Sequence, residues 1–455
     1  MSHYRTCPEC HGEGRIRKSP SHRARRRFQS AAINKKPPTG GVHACPSCKG
    51  SGLVPSEHPV PKDTTYPHVA IIGGGIGGAA LAVACLHRGI PFTLYERDTS
   101  FTARSQGYGL TLQQASKAIE ALGIYDLPSG VISTRHAVHT PDGTIIGEWG
   151  LRKWKRTFLE KITRRRNVHI ARQTLRLLLL EQLPESNVMW GHTLTNLTHA
   201  KDGSINLAFR VGEETREATA DLVVGADGIR SRVRAALITQ DAPLQYLDCM
   251  VILGICPLES LQALQSPLLD SATVFQTVNG HERIYVMPYD ANTVMWQASF
   301  PMEEADAQEL SSKGAHAMKE EVCKRFAWHT PIPQMLAATP EERITGYPVY
   351  DRILFDPALL ENAGAVTLLG DAMHPMSPFK GQGANQALLD ALLLARKIAD
   401  ANPDWREVAI RKSVLASFEA EVAKRSASKV MDSAKAARIL HTDAVLSEAD
   451  APRGH

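Results

Sequence analysis

From residue 68 onward the chain alternates short apolar runs with segments of helical period, the order expected of an α/β fold with a parallel sheet. Val69–Ile72 is an uninterrupted apolar run that ends in glycines, which predicts a strand buried on both faces. Residues 79–88 predict a helix closed by Gly89, and residues 92–96 a second strand. Residues 174–183 have a strong helical pattern. Residues 188–216 alternate apolar and polar positions around a Lys201-Asp-Gly203 turn signal, which predicts a β-meander. Residues 237–345 mix strand and helix signals, and within them 281–289 and 296–300 read as adjacent strands. Residues 384–399 and 405–440 predict helices, the latter amphipathic.

Before residue 68 this pattern is absent and an internal repeat takes its place. Cys7-Pro-Glu-Cys10-His-Gly-Glu-Gly recurs as Cys45-Pro-Ser-Cys48-Lys-Gly-Ser-Gly. Residues 55–67 are proline-rich, which predicts an extended, semi-rigid hinge isolating the repeat unit from the body. The expected division is therefore 1–54, the linker 55–67, a dinucleotide domain in two parts (68–236 and 346–455, the second with C-terminal helices), and a sheet domain for substrate at 237–345.

Composition narrows the classes. With 43% hydrophobic and 22% charged residues the chain is globular rather than disordered. The net charge of +5 hides an asymmetry: residues 1–60 hold 11 Lys and Arg against 3 acids, and the remainder is mildly acidic. The N-terminus has no apolar signal region, and the longest uncharged apolar stretch, residues 69–86, carries five glycines. Neither secretion nor a membrane span is expected. Eight cysteines occur as two close pairs and four scattered residues, which points to a reducing, cytoplasmic setting.

The two pairs offer four thiolates, Cys7, Cys10, Cys45 and Cys48, the soft tetrahedral set that zinc takes in structural sites. A redox CxxC is the alternative, and the matched second pair favours metal. The glycines after each second cysteine allow a knuckle that aims backbone N–H groups at sulfur. His11 and His43 are spare ligands or solvated side chains. Residues 15–44 carry nine Lys or Arg and no acid, which suits a nucleic acid or an acidic protein partner, or simply a solvated insertion.

Three glycine-and-carboxylate turns carry the chemistry of the body. Gly73-Gly-Gly75-Ile-Gly-Gly78 follows a strand, opens a helix, and is followed by Glu96 at the end of the next strand. This is the dinucleotide arrangement: Gly73 for the tight turn, Gly75 for approach to a pyrophosphate, Gly78 for close packing of helix on strand. The helix N-terminus presents N–H groups and a positive dipole end to the anion. The second turn is Gly225-Ala-Asp227-Gly228 and the third Gly370-Asp371, followed by His374-Pro375 and Gly381-Gln-Gly383-Ala384-Asn385. Taken singly, either of the last two reads equally as a turn with an Asp cap.

Together, in this order, the three turns make residues 68–440 resemble the class A flavoprotein monooxygenases, the group of para-hydroxybenzoate, salicylate and 6-hydroxynicotinate hydroxylases, zeaxanthin epoxidase and the tetracycline-inactivating enzymes. The resemblance implies a Rossmann-like, glutathione-reductase-type FAD-binding domain with a mixed-sheet substrate domain. It implies that Gly73, Gly75, Gly78 and Glu96, with its neighbour Arg97, hold the adenosine and pyrophosphate of FAD. It implies that Asp227-Gly228 serves FAD and the nicotinamide cofactor, and that Gly370 and Asp371 meet the ribityl chain. Arg104 and Arg172 match arginines beside the flavin, or form surface ion pairs. The resemblance further implies that Gly381, Gly383, Ala384 and Asn385 lie where the reduced flavin becomes anionic, and that Pro375 lies over its face. His374 is a structural neighbour of the flavin or a general base.

The activity implied is NAD(P)H-dependent transfer of oxygen from dioxygen, through a flavin hydroperoxide, to an aromatic or polyketide-like molecule. A scaffold flavoprotein targeted by the zinc module and a flavin oxidase are the alternatives. Arg283, Tyr285, Trp296 and Gln297 are candidates to face the substrate, with core packing the alternative for each. The cysteine repeat resembles the zinc-binding repeat of DnaJ chaperones, with two repeats in place of four.

Overall fold

The computed structural model describes residues 3–17, 41–103, 107–113, 115, 117–127, 130–150, 152, 168–238, 241–401, 405 and 409–452. Most of the basic segment 15–44 and Arg104 lie outside the described residues.

Along the chain the principal elements are β1 (Val69–Ile72), α1 (Ile76–Leu86), β2 (Phe92–Tyr95), α2 (Arg172–Leu180), β3 (Leu222–Gly225), α3 (Arg232–Leu237), β4 (Gln245–Pro257), β5 (Thr273–Val278), β6 (Arg283–Pro288), β7 (Thr293–Pro301), β8 (Ile344–Asp351), β9 (Val366–Leu368), α4 (Gly383–Asp400) and α5 (Ala416–Ile439). A parallel sheet runs in the order 188–189, β2, β1, β3, β9. All four residues of β1 and of β3 are buried, as a parallel strand covered on both faces requires. The register places Ile72 beside Gly225 and Gly225 beside Leu368. Three strands thus end at one level, and the three turns leave the sheet side by side.

The predicted meander is an antiparallel sheet of 193–199, 205–211 and 214–220. The second large sheet runs 145–149, 135–139, β5, β6, β7, β4, β8 and is mixed, because 135–139 pairs with β5 in parallel while the remaining pairs are antiparallel. One face of this sheet packs on short helices around Trp296, Phe300 and Phe326. Its other face turns toward the parallel sheet.

The predicted C-terminal helix is in two parts, a π-type turn at Arg411–Leu415 running into α5. The α1 helix ends at Leu86 rather than residue 88, with Gly89 at φ +69° beyond it.

The hinge does not isolate the N-terminal unit. Strand Leu53–Ser56 crosses the expected boundary and pairs with His3–Thr6. The Asp63 N–H donates to the Gly89 carbonyl at 2.8 Å, and the Trp405 indole donates to the Thr65 carbonyl at 2.7 Å. The knuckle itself rests on the carboxyl ends of α1 and α4: Tyr4 packs edge-on against His87, and Glu13 lies 3.9 Å from Arg396. Proline content said nothing of what the linker lies against.

Asp351 ends β8 with an unpartnered, buried carboxylate oxygen. Burial pushes its carboxyl up to about 6, against the opposing pull of Arg438. The folded state therefore holds the proton more tightly than the unfolded chain, and stability falls as pH rises through the interval from about 4 to 6. Asp351→Asn is expected to melt several degrees higher than the parent above pH 6 and to match it below pH 4, as measured by thermal unfolding across that range.

Candidate active site

The approach of α1 to β1 is the tightest feature of the site. A side chain at Gly78 would begin 1.9 Å from the Gly73 carbonyl oxygen, and one at Gly73 would begin 2.6 Å from the Ala226 carbonyl. Neither position has room for a β-carbon. By contrast only the Arg172 guanidinium, at 3.9 Å, lies near the start of a side chain at Gly75. The loop is therefore packed on its sheet side and open on the other, beside a cation, which is the shape an anion-binding turn needs. The open side of Gly75 and the N–H groups at the start of α1 fit a dinucleotide pyrophosphate.

Glu96 braces this loop. Its carboxylate accepts from the Gly74 N–H at 2.7 Å and the Asp98 N–H at 3.0 Å. Arg176 of α2 donates to the Gly74 carbonyl at 2.6 Å and lies 3.6 Å from Glu96. Arg176 was not visible as a site residue, because it is one basic position in a helix and its partner is a main-chain carbonyl 102 residues away. Arg97, next to Glu96, is exposed and lines the central cavity.

At the second turn the plainer reading is the structural one. Asp227 caps α3, accepting from the Ser231 hydroxyl at 2.5 Å and from the N–H groups of Arg232 at 2.7 Å and Val233 at 3.3 Å. Burial pushes its carboxyl up, while those hydrogen bonds hold it down. Gly228, at φ +83°, turns the chain past it. Arg234, three residues into α3, makes two 2.7 Å bonds to Asp241 and also donates to the carbonyls of Ala372 at 3.2 Å and Met373 at 3.0 Å. The second turn thereby holds the third.

The third turn is anchored from inside α4. Asp390, fully buried, accepts from the Gly370 N–H at 2.9 Å and meets His374 Nε2 at 2.7 Å, and its other oxygen pairs with Arg425. Burial opposes charge on His374, but Asp390 raises its pKa overall. A charged residue within the apolar run Leu388–Leu394 was the available signal for Asp390. His374 is thus held as a strut. Asp371, the next residue after Gly370, instead opens to the cavity, and the protein packed around its carboxyl pushes the pKa up.

The Asn385 side chain is spent on structure. Its oxygen accepts from the N–H groups of Gln113 and Ala115, and its nitrogen donates to the carbonyls of Thr111 and Gly381. Any donor it offers a cofactor is its main-chain N–H. Gly381, Gly383, Ala384 and Pro375 all line the cavity.

That cavity has a volume of about 1120 Å³ and lies between the ends of the parallel strands and the open face of the mixed sheet. Drug-sized ligands occupy sites of roughly 300–1,000 Å³, so there is room for part of a cofactor and a substrate together. Arg283, Tyr285 and Gln297 line it, and Trp296 does not. Strand alternation turns Trp296 to the opposite face, where its indole donates to Thr339 at 2.8 Å in the core. Gly75 and Asp227 stand just beyond the carboxyl ends of β1 and β3 rather than among the lining residues.

The FAD binding domain family matches residues 66–434 of the chain. This chain belongs to the FAD-dependent monooxygenases. It is 28% identical over 373 residues to 6-hydroxynicotinate 3-monooxygenase of Pseudomonas fluorescens, covering 80% of this chain and 89% of that protein. It is 30% identical over 332 residues to aurachin C monooxygenase/isomerase of Stigmatella aurantiaca, covering 72% and 79%. HpxO of Klebsiella pneumoniae, solved with FAD and uric acid, shares the fold with a TM-score of 0.69 at 21% identity, covering 84% of this chain and 90% of that one. This monooxygenase is accordingly an oxidoreductase with an FAD site, and no helix among its described residues is long and apolar enough to cross a membrane.

The four paired cysteines of the monooxygenase also meet. All are buried, and their sulfur atoms lie within 4.8 Å of one another, with Cys7–Cys45 at 3.8 Å and Cys10–Cys48 at 3.7 Å. Four thiolates at about 2.3 Å from a tetrahedral zinc stand about 3.8 Å apart. The Gly14 and Gly52 N–H groups each donate to sulfur at 3.2 Å, related by the repeat. The donor set fits zinc. His11 and His43 are exposed and outside this cluster.

Arg176→Met is expected to lower unfolding free energy by about 3 kcal/mol, because it strips the buried Glu96 carboxylate of its cation and frees the Gly74 carbonyl. Urea denaturation of the two proteins measures this, and an unchanged midpoint would remove Arg176 from the loop's support.

Proposed function

We propose that this monooxygenase hydroxylates or epoxidises an aromatic or polyketide-like small molecule at the expense of NAD(P)H and dioxygen, and carries one structural zinc. The observation that carries the reading is the single cavity onto which Asp371, Pro375 and Gly381–Ala384 open from one side and Arg283, Tyr285 and Gln297 from the other. FAD, when bound, supplies the reduction by nicotinamide and the activation of dioxygen. The chain's own residues supply place and field. The first turn of α1 and Arg172 hold the pyrophosphate, with Glu96 keeping that turn in shape and Arg97 beside it. Asp371 accepts from the ribityl hydroxyls. The N–H groups at the start of α4 would serve as donors to FAD where it gains negative charge, and donors fixed in advance need no reorganisation. Pro375 and the mixed sheet keep water from the reacting face.

Cys7, Cys10, Cys45 and Cys48 hold the zinc as a closed structural site, with no ligand position open for catalysis. Burial pushes the Cys10 thiol up to about 12, so that thiol ionises by binding metal rather than alone. Eight cysteines with no disulfide among them fit a reducing cytoplasm. An oxidase on the same fold is the competing reading, and steady hydrogen peroxide release without any substrate would favour it.

The purified protein is expected to be yellow with about one FAD per chain, and protein that cannot be reconstituted with FAD counts against the whole reading. Asp371→Ala is expected to weaken FAD retention about tenfold or more, since it removes a hydrogen-bonded carboxylate from the ribityl position; equal FAD affinity in the variant excludes that role. Elemental analysis is expected to find about one zinc per chain, and four freely titratable thiols with no metal would exclude the zinc.

A further inference from the structure

A buried cation faces the cavity without an anion to meet it. Arg283 is 5% exposed. Its Nε donates to the Gln276 amide oxygen at 2.7 Å, and Nη1 has no partner. Its guanidinium lies 4.9 Å from the ring centre of Tyr285 and 6.0 Å from that of Phe379. Among the described residues no carboxylate pairs with it. The titratable groups near it are neutral at ordinary pH: burial raises Tyr285, raises Cys249 to about 12, and lowers His441. An unpaired charge in such a place is costly unless something arrives to pair with it.

The mouth of the same cavity repeats the sign. Lys380, Lys429 and Lys435 line it beside Asp432, and Asp371 is the other acid on the cavity wall. Rim charges of this kind steer ions of opposite sign inward. Between mouth and Arg283 the walls are aromatic, with Phe379, Tyr285 and the stacked pair His136 and Trp149, whose rings are 5.3 Å apart.

From the buried guanidinium, its polar neighbour and the cationic mouth, we infer that the substrate is an aromatic carboxylate whose acid group docks on Arg283. This deepens the monooxygenase reading and rests on it. The planar guanidinium edge is suited to a carboxylate, with Gln276 fixing its plane through Nε. The ring then lies between Tyr285 and Phe379, in the cavity shared with Pro375 and Gly381.

The test is a titration of the FAD-loaded protein with matched pairs of one- and two-ring hydroxyaryl carboxylic acids and their carboxamides. Binding is followed by the visible spectrum of the flavin and, in parallel, by calorimetry. The acids are expected to bind more tightly than their amides, and salt is expected to weaken the acids alone. Arg283→Gln is expected to weaken the acids about 30-fold or more while leaving the amides close to their parental affinity, and Arg283→Lys to retain part of the preference. Equal binding of acids and amides by the parent, an undiminished acid preference in Arg283→Gln, or failure of every acid to bind overturns the inference. Loss of FAD from the parent protein defeats the monooxygenase reading instead, and the calorimetric comparison still decides the subsite.

Discussion

The contact on which the site depends is the one between the first turn of α1 and the end of β1. With no β-carbon at Gly78, helix and strand meet at backbone distance; with none at Gly73, the first turn lies against the second, at the level where β3 and β9 also end. Parallel pairing does the rest. Three turns far apart in sequence become neighbours because their strands share a register, and no direct bond between them is needed to bring them there. Bulk at Gly78 would lift the helix off the strand, bulk at Gly73 would push the first turn away from the second, and either would spoil the alignment.

Around that alignment the protein has built a set of buried ions that fix turns rather than react. Arg176 ties α2 to the Gly74 carbonyl, Arg234 ties α3 to the third turn, and Asp390 ties α4 to Gly370 and His374. Each spans elements from different parts of the chain and each ends on main-chain atoms. Groups that receive a cofactor must hold their geometry before it arrives, and charge-assisted bonds in a dry setting do this with little side-chain freedom left to lose. The cost is that removing any one partner strands the other in a low-dielectric interior.

Legibility in the sequence followed the same division. Strand runs, the glycine turns, the meander and the paired cysteines were readable because each is a local pattern with a local physical cause. The Asp227 turn had two readings, and the geometry shows the cap; Asp371, in a turn of similar composition, is the one that opens to the cavity. Arg176 and Arg234 were invisible because the bonds by which they hold the turns end on main-chain carbonyls, which carry no sequence signal. Asp390 left a trace, one acid inside an apolar helix, that patterning alone does not interpret. Trp296 and Gln297 were grouped as candidates although adjacent strand residues face opposite ways, so one of them had to be core. The docking of the linker depended on tertiary contacts that proline content does not encode.

The cysteine knuckle lies before the shared oxygenase body, yet it touches that body at a sensitive place. Gly12 sits where a side chain would begin 2.9 Å from Arg88 Nη2, and Arg88 is a buried guanidinium at the far end of the nucleotide helix. The amino-terminal appendage is therefore the lid of a cationic socket in the enzyme proper. Trimming the appendage would open the Arg88 guanidinium to water, and any side chain placed at position 12 would have to displace it.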